Sequence, residues 1–175
     1  FLDRHRINFH DPLLLGLYLS KFKGAHGTFH NGLAVVEINK QVGYIDKTGT
    51  IIVKPQYALG SNFSEGLASV QVGRRWGYIG TTGRMVIEPQ FEAAFGFSEG
   101  FAVVCNGSKP DSTGVLKGGK CGFIDRAGKV MIPWKFDLAF GFQDGLAKVY
   151  IGYFEEGPKT GYIDKTGKYV WEPTK

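Results

Sequence analysis

Sulfur and histidine are scarce in this chain: its 175 residues include two Cys, two Met and four His, and all four histidines (His5, His10, His26, His30) fall in the first thirty positions. Clustered zinc or iron–sulfur ligands are thereby excluded from most of the sequence. His26 and His30 are four apart, as helical metal ligands would be, but they sit in a loop-like stretch with no acidic or thiol partner near, so no metal site is expected. No apolar run approaches the roughly 18 residues of a membrane-spanning helix. The longest, Leu13-Leu14-Leu15-Gly16-Leu17-Tyr18-Leu19, has no small-residue cleavage motif after it, which argues against a signal peptide. The chain opens at Phe1 rather than Met and reads as a processed product or a fragment. No Ser/His/Asp arrangement and no phosphate loop is present, so no enzymatic activity and no cofactor are expected.

Glycine and aromatics are plentiful: 26 Gly, 14 Phe, 8 Tyr and 3 Trp, with the glycines spaced regularly rather than pooled. The spacing comes from a fourfold repeat. Phe29-His30-Asn31-Gly32-Leu33-Ala34 recurs as Phe63-Ser64-Glu65-Gly66-Leu67-Ala68, Phe97-Ser98-Glu99-Gly100-Phe101-Ala102 and Phe142-Gln143-Asp144-Gly145-Leu146-Ala147. A second block follows each, as in Val42-Gly43-Tyr44-Ile45-Asp46 and Trp76-Gly77-Tyr78-Ile79-Gly80, and a third closes on a proline and an aromatic, as in Lys54-Pro55-Gln56-Tyr57. The first two units repeat at 34 residues; the third and fourth carry about 11 and 5 extra, 106–120 and 151–159, between first and second blocks.

Three apolar runs per unit, rich in Val, Ile and aromatics and bounded by Gly, Asn, Asp and Pro, predict three β-strands. The three-and-four spacing of amphipathic helices is missing. The expected fold is all-β: a tandem, open array of four three-stranded antiparallel meanders, units about 29–62, 63–96, 97–141 and 142–175, behind a non-repeat segment 1–28. That segment, with Asp11-Pro12 and the leucine run, is expected to cap one end; Lys175, in the place of Tyr57, Phe91 and Phe136, suggests a capping edge at the other. Asp46-Lys47-Thr48-Gly49 and its counterparts at 125–128 and 164–167 predict tight turns, with Asp bonding the backbone and Gly left-handed. Pairing strands around Gly73-Arg74 sets Gln71 opposite Trp76, Val70 opposite Gly77 and Ala68 opposite Ile79, giving a small apolar face and a ring-bearing face. An inward glycine invites close approach, here expected from a ring such as Phe63 or Phe97.

The whole constellation (Phe-x-[Glu/Asp/Asn]-Gly-[Leu/Phe]-Ala, then Gly-aromatic-Ile-Asp, then Pro) resembles the WG repeat family, bacterial β-rich repeats named for a Trp-Gly pair that appears literally here at Trp76-Gly77. The resemblance spans roughly residues 29–173. It implies arrays of β-meanders used as interaction modules and brings no catalytic residues.

By the same register Cys105 and Cys121 face each other across a hairpin, within reach of a disulfide that would tie off residues 106–120. Bonded, the pair points to an oxidising, extracytoplasmic setting; the alternative is two reduced, buried thiols. Asn31, Glu65, Glu99 and Asp144 share one repeat position and read as turn residues rather than a carboxylate ring. Charge is uneven: Lys109, Lys117, Lys120, Arg126, Lys129 and Lys135 against Asp111 and Asp125 supply most of the net +5. This basic region suits an acidic protein or anionic surface; with no aromatic stripe beside it, nucleic acid is disfavoured.

The expected function is a non-catalytic protein–protein interaction module, a subunit or linker in a larger assembly, with the two insertions as contact sites. Its weak binding candidates are Lys109, Lys117, Lys120, Tyr153 and Phe154. The alternative is a carbohydrate or cell-wall binding module, in which Trp134, Trp171 and Tyr153 would be exposed and in line.

Overall fold

Alternating small apolar and aromatic residues, interrupted by glycine-bearing turns, form antiparallel hairpins throughout the computed structural model, which describes residues 28–110, 116–152 and 157–174. The predicted cap, apart from Thr28, and the Lys175 edge lie outside the described residues. The first repeat gives β1 (Leu33–Ile38), β2 (Gln41–Asp46) and β3 (Ile51–Tyr57); the second gives β4 (Leu67–Val72), β5 (Arg75–Gly80) and β6 (Met85–Phe91). The third contains β7 (Ala93–Ser98), β8 (Phe101–Asn106), the short pair β9 (Lys109–Pro110) and β10 (Leu116–Lys117), β11 (Lys120–Ile124) and β12 (Val130–Phe136). The fourth contains β13 (Leu138–Ala139), β14 (Leu146–Ile151), β15 (Lys159–Asp164) and β16 (Tyr169–Thr174).

The three-strand expectation is met in the first two sheets and exceeded in the others, whose orders are β12-β11-β8-β7 and β13-β14-β15-β16. The added strand is the connector that leads into each of these repeats. In the second repeat the same connector makes only a bridge, Gly60 with Val70. The register matches the sequence reading residue for residue: Gln71 with Trp76, Val70 with Gly77, Ala68 with Ile79. No described helix is long and apolar enough to cross a membrane.

The described chain divides into two units, the first ending at Pro89 and the second starting at Gln90. In the first, Val42, Tyr44, Val53 and Tyr57 from the ring-bearing face of the first sheet pack with Ala68, Val70 and Ile79 from the small face of the second. Phe63, which leads into the second repeat, lies edge-on to Tyr44 at 4.9 Å. The second unit repeats the arrangement. Cys121, Phe123, Ile132 and Phe136 pack with Ala147, Val149 and Ile163, and the leading Phe142 sits 5.0 Å from Phe123. Burying each such ring is worth about 1.5–3 kcal/mol.

The turns carry the register. Asp46 Oδ1 accepts from the Thr48 and Thr50 amides at 2.8 and 2.9 Å and from the Thr48 hydroxyl at 2.6 Å, while Gly49 takes φ +82°. Asp125 and Asp164 accept the equivalent amides. The Phe-led motifs end in two-residue turns whose central pair is left-handed at both positions, as at Glu99 (φ 53°) and Gly100 (φ 87°). This is the type I′ geometry that fits the twist of a hairpin.

What approaches the Gly-aromatic glycines is not a phenylalanine ring, as expected from sequence, but the backbone of the third strand. A Cβ on Gly77 would lie 2.5 Å from the Ile87 carbonyl oxygen and 2.8 Å from Pro89 N. Gly43 and Gly122 meet Val53 and Ile132 in the same way. The cause is a bulge: Val42 and Tyr44 pair with Tyr57 and Val53, so the single residue Gly43 of β2 faces three residues of β3, Lys54, Pro55 and Gln56. The extra length, centred on Lys54-Pro55, folds over the glycine. In the third repeat Pro133 comes one residue earlier and Trp134 takes the place of Pro55.

Candidate functional site

The insertions of the third and fourth repeats are rooted at one carboxylate. Asp137, directly after Phe136, is only 7% exposed at its side chain. Its Oδ1 accepts from Lys120 Nζ at 2.6 Å, at the root of the first insertion, and its Oδ2 accepts from Gly152 N at 2.9 Å, at the root of the second. Lys120, expected from sequence to be a contact residue, pairs with Asp137 while its side chain stays 40% exposed. On the other side of the first insertion, Glu92 Oε2 accepts from Ser108 N at 2.9 Å, and Asn106 Oδ1 accepts from Glu92 N at 3.0 Å. Glu92 and Asp137 occupy equivalent repeat positions, each directly after a closing Phe. Sequence inspection missed both; the signal was an acid at that position in the two repeats flanking the insertions and Ala58 in the first.

The disulfide Cys105–Cys121 is formed, with Cα atoms 4.0 Å apart in directly opposed register. Beyond it the insertion continues as a short hairpin in which Lys109 and Lys117 are cross-strand partners. Lys109 is exposed. Tyr153 and Phe154 lie outside the described residues, as do His5, His10 and His26. His30 is exposed and 3.3 Å from the Thr28 hydroxyl, and no metal-binding cluster occurs among the described residues.

The recurrent acidic or Asn position sits in turns, as expected, and also links neighbouring repeats. Asn31 Oδ1 accepts from Gly66 N at 3.3 Å, and the Glu99 carboxylate accepts from Gly145 N at 3.1 Å. Glu99 pairs with Lys165 at 2.9 Å; that contact, aided by the Gly145 amide, holds its carboxyl below the usual carboxylate range despite some desolvation.

A second surface, unforeseen in sequence, is the ring-bearing face of the fourth sheet. Lys148, Tyr162 and Trp171 are directly opposed on β14, β15 and β16, and Tyr150 pairs with Thr160 in the adjoining row. Lys148 Nζ lies 5.1 Å from the Tyr150 ring centre, and a hydrogen bond to the Tyr150 hydroxyl raises its pKa. Phe140 makes an edge contact with Tyr150 at 6.1 Å. Tyr162 is 38% and Trp171 60% exposed. Of the sequence-predicted aromatics, Trp134 on the third sheet and Trp171 on the fourth are both exposed.

The family model described as "WG containing repeat" matches residues 43–75, 76–109 and 122–153, more than half of the chain. The stretch between the second and third matched segments, 110–121, covers most of the disulfide-closed insertion. No curated protein shows significant similarity to the chain.

Proposed function

The chain belongs to the WG containing repeat family, and we propose that it is a non-catalytic protein-binding module whose contact surface is formed by the paired insertions 106–120 and 151–159. The observation that carries this reading is Asp137, which fixes both insertion roots with one buried carboxylate and so makes neighbours of loops far apart in sequence. The disulfide, at about 3 kcal/mol for a loop of this length, and the Glu92 contacts pin the other side. Holding loop roots this firmly lowers the ordering cost of binding. Two lysines at paired positions of the short hairpin, Lys109 and Lys117, favour an acidic partner surface.

The test compares proteins captured by the native chain with those captured after residues 107–119 are replaced by a two-residue turn, and after Lys109→Glu with Lys117→Glu. Loss of the same captured protein from both variants is expected. An unchanged set would remove the insertions as the contact surface. Alanine at Tyr153 and Phe154 then asks whether the second insertion contributes.

A carbohydrate-binding role draws on other residues. Trp171, the most exposed tryptophan, favours it.

A further inference from the structure

The same positions of the sheet are filled differently in the inner and the fourth repeats. In the first and third, Val35 and Val103, Val42 and Cys121, and Val53 and Ile132 form aliphatic floors, and most of these side chains are buried. In the fourth, the partly buried Lys148 and Thr160 and the exposed Trp171 stand there, beside the exposed Tyr162 and the partly buried Tyr150. The Ala/Val/Ile side of a repeat packed there would press on a charged ammonium and an indole, where the first and third sheets offer valine, isoleucine and a disulfide cysteine. A purely solubilising surface would be polar throughout, and exposed Trp and Tyr do not serve that end.

We infer that the ring-bearing face of the fourth sheet, built on Trp171, Tyr162, Tyr150, Lys148 and Thr160, is a binding platform for a carbohydrate chain. A pyranose ring presents an apolar C–H face edged with hydroxyls, and each half has its counterpart here. Trp171 and Tyr162 are neighbours on adjacent strands, about 4.8 Å apart in the pairing direction, so they form a continuous aromatic strip. Lys148 follows on the next strand in the same row, and Thr160 and Tyr150 form the parallel row. Their ammonium and hydroxyl groups supply donors and acceptors for sugar hydroxyls. The strip lies on strands rather than loops, so the rings are held in place before ligand arrives. This proposal rests on the carbohydrate reading above and uses no residue of the two insertions, so the protein-binding and sugar-binding accounts stand or fall separately.

Affinity electrophoresis of the full chain through native gels tests it. The gels would contain laminarin, xylan, hydroxyethylcellulose or polygalacturonate, each run also at 0.5 M salt. Retardation in at least one gel, persisting at high salt, is expected, with Trp171→Ala and Tyr162→Ala each weakening it at least tenfold. Lys148→Gln should weaken it less, and Lys109→Gln with Lys117→Gln should leave it unchanged. Circular dichroism melts show whether the exposed-site variants remain folded, and Trp171→Phe, which keeps a ring, should retain part of the binding. Three results would overturn the proposal: no retardation in any gel, retardation abolished by salt alone, or retardation indifferent to Trp171 and Tyr162. Loss of a captured protein, rather than of sugar, from the Trp171→Ala chain would also overturn it by assigning the face to a protein partner.

Discussion

The ring-bearing faces of the third and fourth sheets are built on one register and meet opposite environments. Phe123 is fully buried and Ile132 nearly so, beneath Phe142 and the Ala147, Val149 and Ile163 side of the next sheet. Their counterparts Tyr162 and Trp171 are 38% and 60% exposed. Backbone pattern is therefore not what decides burial here; what lies above the face does. The contrast separates two jobs that a repeat position can hold. The third copy fits a neighbouring sheet with Val103, Cys121 and Ile132, while the fourth carries a lysine, a threonine and an indole at the same positions.

Breaking the inner half of this contrast should have the largest effect. Phe123→Ala removes a ring with no exposure and is expected to cost about 3–5 kcal/mol, read from urea midpoints at constant slope. Tyr162→Ala, at the same repeat position, is expected to stay within about 0.5 kcal/mol. Equal losses would erase the distinction between the two faces. Next comes the glycine beneath the bulge. Gly122→Ala would set a Cβ 2.5 Å from the Ile132 carbonyl oxygen, and the backbone above it must move, at about 1–3 kcal/mol. Gly100→Ala meets no atom within 4 Å and suffers only from its left-handed φ, about 1 kcal/mol. Thermal melts of the two variants should fall in that order.

The smallest effect is in acid. Asp164, lowered chiefly by the Thr166 hydroxyl and the Thr166 and Lys168 amides, and Glu99, lowered chiefly by Lys165, both prefer the ionised form when folded. Their stabilisation is complete above the ordinary carboxylate range near pH 4 and is lost as pH falls through their lower folded values. Melting temperature should hold from pH 7 to about 5 and then decline. Asp164→Asn with Glu99→Gln should flatten that decline, and a decline of unchanged steepness would remove these groups from the account.

Much of this was legible in the sequence, because a strand alternates every two residues and four aligned copies fix the phase. The Cys105–Cys121 pairing and the opposition of Val70 to Gly77 follow from that alone. The glycine contact was misjudged because a bulge breaks the two-residue period, and the folding-over of Lys54-Pro55 leaves no periodic trace. The connector strand β7 was missed because Glu92-Ala93-Ala94-Phe95-Gly96 lacks branched residues, and its pairing partner lies across a tight turn. The Lys120–Asp137 ion pair was not legible because the two residues belong to different hairpins and only the fold brings them together. The platform on the fourth sheet escaped notice for the opposite reason. Its aromatics look like every other aromatic in the repeat until the exposure of Trp171 and Tyr162 is seen.

The face-to-face packing of consecutive repeats is tested most directly by a double-mutant cycle on Phe123 and Phe142, whose ring centres are 5.0 Å apart across the third and fourth sheets. Urea unfolding of Phe123→Leu, Phe142→Leu and the double variant should give a coupling of about 0.5–1.5 kcal/mol. Strictly additive losses would mean that the leading phenylalanine of one repeat does not seat on the aromatic of the repeat before it.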